Sequence, residues 1–262
     1  MSSSHEHPPE PGPEAFEQVR QLLSDLAVQI AAIPDELVNE RFDSSIHASI
    51  VNWTVYCLAL IGDHCAAAAN LTEPRHVRVL CGLARTVYEY CIALLYVDRH
   101  PEIARMQFKT FYGRSLRRIV EMQPYNTEAQ AEFEEWNADA RNNKANSYSG
   151  NFNNKTAIME VEGPHKNGVS AYGLFYAEMS VFAHPDAAGY SDIFYFDFDD
   201  GNLSVHFRSG SSYHAFDALS MIVMHTVRAL RAATLQLKLS AIDIDAFVQR
   251  KRDVMALHFN RG

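Results

Sequence analysis

EPRHVRVLCGLARTVYEYCIALLYVDRHPE (Glu73–Glu102) is the stretch that decides the fold. Leu80, Leu83 and Val87 step by three and four residues, and Ile92 and Leu95 by three, which is the period of a helix and not of a strand. The run predicts a helix from about Pro74 to Asp98, apolar enough to lie at the centre of a bundle. Arg85 and Glu89 interrupt it. They stand four apart, so a helix places them on one face, where they can pair. An exposed pair of this kind contributes roughly a few tenths of a kcal/mol. Amid apolar neighbours it either joins an internal network or lines a ligand cleft. An internal pair that loses one partner costs about 3–5 kcal/mol.

Working outward toward the start, Phe16, Val19, Leu22, Leu23, Leu26 and Ile30 predict an amphipathic helix from about Pro13 to Ala32, broken by Pro34. A second helix is expected from about Asp35 to Ala69, with Leu37, Ile46, Ile50, Trp53, Cys57, Leu60 and Ile61 facing inward. Thr72 is the expected cap of the central helix, with Pro74 in its first turn. The opening MSSSHEHPPEPGPE is polar, acidic and proline-rich. It has no basic region followed by an apolar run, so residues 1–12 are expected to be a disordered tail and 13–262 a single helical domain.

Beyond the central helix, His100-Pro101 punctuates the chain and a fourth helix runs to about Met122. It carries Lys109, Arg114, Arg117 and Arg118, the last three on one face. A solvated surface is the default reading of that patch, and an anion or RNA-phosphate contact the sharper one. Thr127-Glu128-Ala129-Gln130 matches a capping box and opens an acidic helix to about Ala140. Residues 142–168, with seven asparagines and three glycines, lack periodicity and are expected to form a mobile loop.

That loop leads into VSAYGLFYAEMSVFAHP (Val169–Pro185), where Tyr172, Tyr176, Ser180 and His184 recur every four residues. A helix stacks them as one polar stripe, and Pro185 ends it with His184 in the last turn. Either the stripe satisfies its neighbours in a core or it forms a ligand or catalytic face. Residues 193–207 predict a β-hairpin. An Asp200-Gly201 turn pairs Phe198 with Leu203, Phe196 with Val205 and Phe194 with Phe207. Its phenylalanine face needs cover from the bundle or from a second subunit, which leaves a homodimer open.

A C-terminal helix pair is expected over 212–259, with a second capping box at Ser240–Asp243 and His225 as a satisfied core histidine. The fold class is all-α, a multi-helix and mainly antiparallel bundle with one small β-hairpin insertion.

Composition narrows the function. The chain has 262 residues, 47% hydrophobic and 21% charged, which are ordinary globular values. A formal charge of -9 argues against duplex DNA as a partner. Cys57, Cys65, Cys81 and Cys91 form no CxxC pair and sit among apolar neighbours, the pattern of reduced core thiols in the cytoplasm. Adjacent His64 and Cys65 point apart on a helix, so no metal site and no cofactor is expected. No stretch of 18 residues is free of polar interruption, so no membrane span is expected.

Taken together, the Arg85–Glu89 pair in RTVYE, the FYGRSLRR helix and the Y-x3-Y-x3-S-x3-H-P helix resemble the uncharacterised bacterial DUF5677 family over about residues 45–185. The resemblance implies an all-helical fold and a shared polar site of Arg85, Glu89, Tyr172, Tyr176, Ser180 and His184, and it names no reaction. A looser similarity is to HEPN helical ribonucleases, whose signature is an arginine and a polar residue followed by histidine. Arg141-Asn142 supplies the start, but residues 145–147 are Ala, Asn and Ser, so the histidine is missing.

The leading expectation is a cytoplasmic helical protein whose polar cleft binds a small anionic ligand or a nucleic-acid end, in a bacterial stress or defence setting. Arg85 would hold the anion, Glu89 would orient it, and Tyr172, Tyr176 and Ser180 would donate hydroxyls. The enzyme alternative is a metal-independent ribonuclease with His184 as acid or base and Arg85 stabilising phosphorane charge. A structural or partner-binding protein that docks through the hairpin is the third. In the first two, the central helix and the Tyr172–His184 helix are expected to pack face to face, with Arg85 and Glu89 opposite Tyr176 and Ser180.

Overall fold

The structure is a computed structural model that describes residues 11–37, 45–71, 73, 76–142, 154–163, 194–199, 202–207, 212–239 and 242–259. Among these the protein is an all-α helical bundle. Its helices are α1 (Pro13–Leu37), α2 (Ser45–Ala69), α3 (Val77–Arg99), α4 (Pro101–Met122), α5 (Thr127–Asn142), α6 (Asn154–Glu162), α7 (Ser212–Leu237) and α8 (Ile244–Phe259).

α3 is the central element, as its composition requires. Leu80, Ala84, Val87, Tyr88, Cys91, Ile92, Leu94, Tyr96 and Val97 are all buried, and they spread over more than half of the helix circumference. It packs most extensively on α7 and also on α2, α6 and α4. The core continues through Leu22, Leu23, Leu26 and Ile33 of α1, Leu58 and Ile61 of α2, and Phe216 and Leu219 of α7. Each such side chain contributes about 1.5–3 kcal/mol when fully removed from water. A polar relay runs from the edge of this core to the surface. Thr54 Oγ1 donates to Gln236 Oε1 at 2.9 Å, and Gln236 Nε2 donates to Asp98 Oδ1 at 2.8 Å. It ties α2, α7 and α3 together.

A one-residue elbow joins α3 to α4. The His100 backbone N–H donates to the Tyr96 and Val97 carbonyls and closes α3, while the His100 carbonyl accepts from the Ile103 N–H and opens α4. Pro101 fits the first helical position because its missing N–H would have no helical partner there. The His100 ring pairs with Glu160 Oε1 at 2.5 Å, and Arg99 Nη1 donates to the Glu160 carbonyl at 2.8 Å, so α6 docks at the same joint.

Several expected boundaries move. Pro34 does not break α1, which runs through it to Leu37. The proline forfeits one helical hydrogen bond, but only three residues follow it in the helix, and Ile33 beside it is buried and anchors the turn. α2 therefore begins at Ser45 rather than Asp35. The expected loop over 142–168 contains α6, whose Ala157, Ile158 and Val161 are buried, so packing on α3 overrides the weak local signal. The cap of α5 is Asn126, not Thr127: its Oδ1 accepts from the Ala129 N–H at 3.0 Å. Likewise Asp243 caps α8 by accepting from the Ala246 N–H at 2.9 Å.

The segments β1 (Phe194–Asp199) and β2 (Asn202–Phe207) pair antiparallel, with Phe194 opposite Phe207, Phe196 opposite Val205 and Phe198 opposite Leu203. This ribbon packs against none of the described helices.

Two helices, Ala48–Ala69 and Val77–Arg99, are long and apolar enough to cross a membrane. Composition alone therefore does not exclude a span, contrary to the expectation. Some 44% and 50% of these stretches are buried against other helices, as core helices of a bundle also are.

Candidate functional site

α3 carries the one predicted site pair that the structure describes in full. Arg85 Nε donates to Glu89 Oε1 at 3.1 Å, the one-turn contact that a spacing of four dictates. Their side chains are 17% and 26% exposed, so the pair is neither a solvated surface bridge nor a sealed internal one. It lies at the rim of the bundle. Tyr172, Tyr176, Ser180 and His184 lie outside the described residues, as does the side chain of Lys109. The proposed meeting of Arg85 and Glu89 with Tyr176 and Ser180 falls outside them too.

A second ion pair joins two helices that both pack on α3. Arg228 Nη1 of α7 contacts Glu162 Oε1 of α6 at 2.5 Å, with the two side chains 36% and 22% exposed. Between this pair and the core lies Tyr88, fully buried and three residues after Arg85 on α3. Burial, followed by the charge of Glu162, pushes the Tyr88 hydroxyl well above its ordinary pKa and keeps it a neutral phenol. Burial works against the charge on Arg228, but the hydrogen bond to Glu162 and the neighbouring charges outweigh it and raise its pKa. The guanidinium is thus permanently charged and held in place by one carboxylate. Among the described residues Glu162 is its one hydrogen-bond partner, and a guanidinium carries five N–H donors.

Behind Tyr88 sits His225, its ring centroid 4.6 Å from the tyrosine's at an angle of 52°. The expectation of a core histidine holds, but the expectation that it is satisfied does not. Neither ring nitrogen has a hydrogen-bond partner among the described residues. Burial, then the charges of Arg228 and Lys251, pushes its pKa down to about 3. The ring is neutral near pH 7, and no described residue meets its hydrogen-bonding capacity. Such a histidine is not poised for acid–base work near neutrality.

The thiols are equally quiet. Cys57, Cys65, Cys81 and Cys91 are free and buried. Burial pushes Cys91 up to about 12, with Arg228 opposing and Glu162 adding, and pushes Cys65 up to about 12 against a contact from Thr226. Neither forms the thiolate that nucleophilic chemistry needs. Adjacent His64 and Cys65 do point to different partners, the ring to the Leu60 carbonyl at 2.6 Å and the sulfur to Thr226 Oγ1 at 3.2 Å.

On α4, Arg114, Arg117 and Arg118 are exposed. Arg117 Nε donates to Glu121 Oε1 at 2.8 Å, with both side chains more than 60% exposed (70% and 63%). Exposure fits both the solvated-face and the anion-contact reading of this patch, and such a pair contributes about 0–1 kcal/mol.

Sequence reasoning missed the Glu162–Arg228 pair and Tyr88. The available signal was Arg228, three residues after His225 at the end of the mainly apolar run Ala218–Val227. Its partner was hidden because Glu162 closes a helix inside an asparagine-rich stretch read as loop. Compared with family models, curated proteins and solved structures, the chain matches none significantly.

Proposed function

We propose that this protein binds a small anionic ligand, or the phosphate end of a nucleic acid, at the polar flank of α3. The observation that carries the reading is Arg228: a half-buried guanidinium, fixed by Glu162 against Tyr88, with N–H donors that no other described residue engages. A fixed guanidinium with spare donors suits bidentate recognition of a phosphate or carboxylate. Arg85, one turn from Tyr88, is the second cation of the flank, and Glu89 restrains its orientation. Tyr172, Tyr176 and Ser180 complete the proposed site as hydroxyl donors. Membership of the DUF5677-like helical proteins and a cytoplasmic location belong to the same proposal. The buried thiols and the neutral His225 support a binding role over catalysis by these core groups. Ribonuclease chemistry would fall to His184.

Calorimetric titration of the full chain with inorganic phosphate and with a 5′-phosphorylated oligonucleotide tests this. Saturable binding that Arg228→Gln abolishes and Arg117→Gln leaves intact supports the site. Binding that survives Arg228→Gln, or that is lost equally on Arg117→Gln, rejects it.

The hairpin favours one other reading. A two-stranded ribbon is marginal alone, and this one packs on none of the described helices. As a small insertion it would serve as a docking element, including toward a second copy. Deleting residues 194–207 should then convert an oligomer to a monomer in light scattering; an unchanged mass rejects this role.

A further inference from the structure

On the other side of the central helix, α2 and α3 bring four aromatic side chains into one continuous cluster. Trp53, Tyr56 and His64 lie along one edge of α2, and Tyr90 meets them from α3. The Trp53 and Tyr56 centroids are 5.9 Å apart at 39°, those of Tyr56 and Tyr90 6.5 Å apart at 90°, and those of His64 and Tyr90 6.2 Å apart at 63°. The cluster is not sealed. Tyr56 is 39% exposed, and Tyr90 and His64 are partly exposed. Its base is fixed: Trp53 is buried and its Nε1–H donates to the Ala93 carbonyl of α3 at 3.3 Å.

Packing alone does not call for this composition. A half-exposed helix edge is sealed as well by leucine or isoleucine, whereas aromatic faces add a quadrupole that attracts positive charge. A cation is held when it lies within about 6 Å of a ring centroid. Because the Tyr56 and Tyr90 centroids are only 6.5 Å apart, a cation approaching from the exposed side of Tyr56 can come within that reach of both. The perpendicular planes give it two different walls instead of one stacked surface. Negative charge is close by. Glu89 adjoins Tyr90, and burial, then Tyr56, Cys57 and Glu89, raises the Tyr90 pKa, so its ring stays an uncharged phenol. Asp63 adjoins His64 and is exposed. The chain as a whole carries -9, which draws cations toward its surface.

We infer that the Tyr56–Tyr90 corner, floored by Trp53 and flanked by His64, binds an organic cation of the methylated-ammonium class. The site shares Glu89 with the proposed anion site, and the Trp53 readout separates its failure from the failure of that reading.

The test follows the indole N–H resonances of the full chain by NMR during titration with choline and, separately, with 3,3-dimethylbutanol, its neutral isostere. Trp53 reports on the corner, and Trp136 is an internal control. Choline is expected to shift the Trp53 signal saturably and leave Trp136 unmoved, and the alcohol to leave both unmoved. Tyr56→Phe keeps the ring face and should keep binding. Tyr56→Leu keeps only apolar cover and should weaken it about two- to fivefold, the loss of one partly exposed cation–π contact. Equal shifts with choline and the alcohol, a Trp53 signal insensitive to choline, or unchanged affinity in Tyr56→Leu would each overturn the assignment.

Discussion

A Cβ atom on Gly113 of α4 would lie 2.1 Å from Cζ2 of Trp136 on α5. The indole occupies the space a side chain would need, and it stacks in parallel on Phe133 with centroids 6.1 Å apart. The α4–α5 contact therefore depends on the absence of a methyl group. Gly113→Ala would gain helix propensity of up to about 1 kcal/mol on its own. The clash reverses that sign, and a net loss of about 1–3 kcal/mol is expected in urea melts. Combining it with Trp136→Leu should recover part of the loss. Stabilisation by Gly113→Ala alone would mean that the two helices do not approach this closely.

The two half-buried ion pairs should rank between surface and core. Glu162→Ala leaves Arg228 beside a buried phenol without its carboxylate, whereas Arg117→Ala removes an exposed bridge. Because both partners of the first pair are partly solvated, about 1–2 kcal/mol is expected for Glu162→Ala, short of the full cost of a sealed pair. Arg117→Ala should stay within about 0.5 kcal/mol. Glu89→Ala belongs with Glu162→Ala, given the similar burial of its own pair. Chemical denaturation of the three variants in one buffer gives the order directly.

His225 makes stability depend on pH in a definite direction. Its folded pKa is pushed down to about 3 from 6.5, so the unfolded chain binds the extra proton between those values. Stability therefore rises with pH through that window and is lost as pH falls from about 6.5 toward 3. The effect is on the order of a few kcal/mol over the whole window. Carboxylates contribute their own slopes, but the difference between the wild type and His225→Leu isolates the histidine. Melts at pH 7.5 and pH 4.5, conditions chosen on either side of the ordinary histidine range, should show a smaller drop in the variant. Equal drops would place the ring in contact with water or an unrecognised acceptor.

The cap of α5 offers a local test. Asn126→Ala should cost about 1 kcal/mol, because the Ala129 N–H loses its side-chain acceptor. Thr127→Ala, which the capping-box reading would make the costly change, should cost only a few tenths of a kcal/mol, roughly the scale of helix propensity. Thermal melts that reverse the order would return the cap to Thr127.

Much of the fold was legible because helical period and core burial say the same thing. Leu80, Val87 and Ile92 are buried as their spacing requires, and Arg85 meets Glu89 as a spacing of four dictates. What stayed hidden depended on tertiary context. Pro34 carries a local breaking signal that the buried Ile33 and its neighbours overrule. Asn154–Glu162 looks like loop because asparagine and glycine surround it, yet three apolar residues find α3 to pack on. Of the Glu162–Arg228 pair only Arg228 left a signal, since the partners are 66 positions apart and meet only through two helices docking on a third. Gly113 was invisible for a related reason: a glycine in a helix says that something is close, but not what.

The elbow at His100 has a consequence for how the gene can vary. One residue closes α3 and opens α4, so there is no slack in which an added or lost amino acid could be absorbed. An insertion there would turn α4 by about 100° about its own axis. The face that α4 packs on α2 would then turn away, and α5, which packs only on α4 among the described helices, would be carried with it. Changes of length should therefore be tolerated between α4 and α5, or after α7, and be lethal to the fold at this joint: the elbow acts as a reading frame for three-dimensional structure, and an indel there is a frameshift in space.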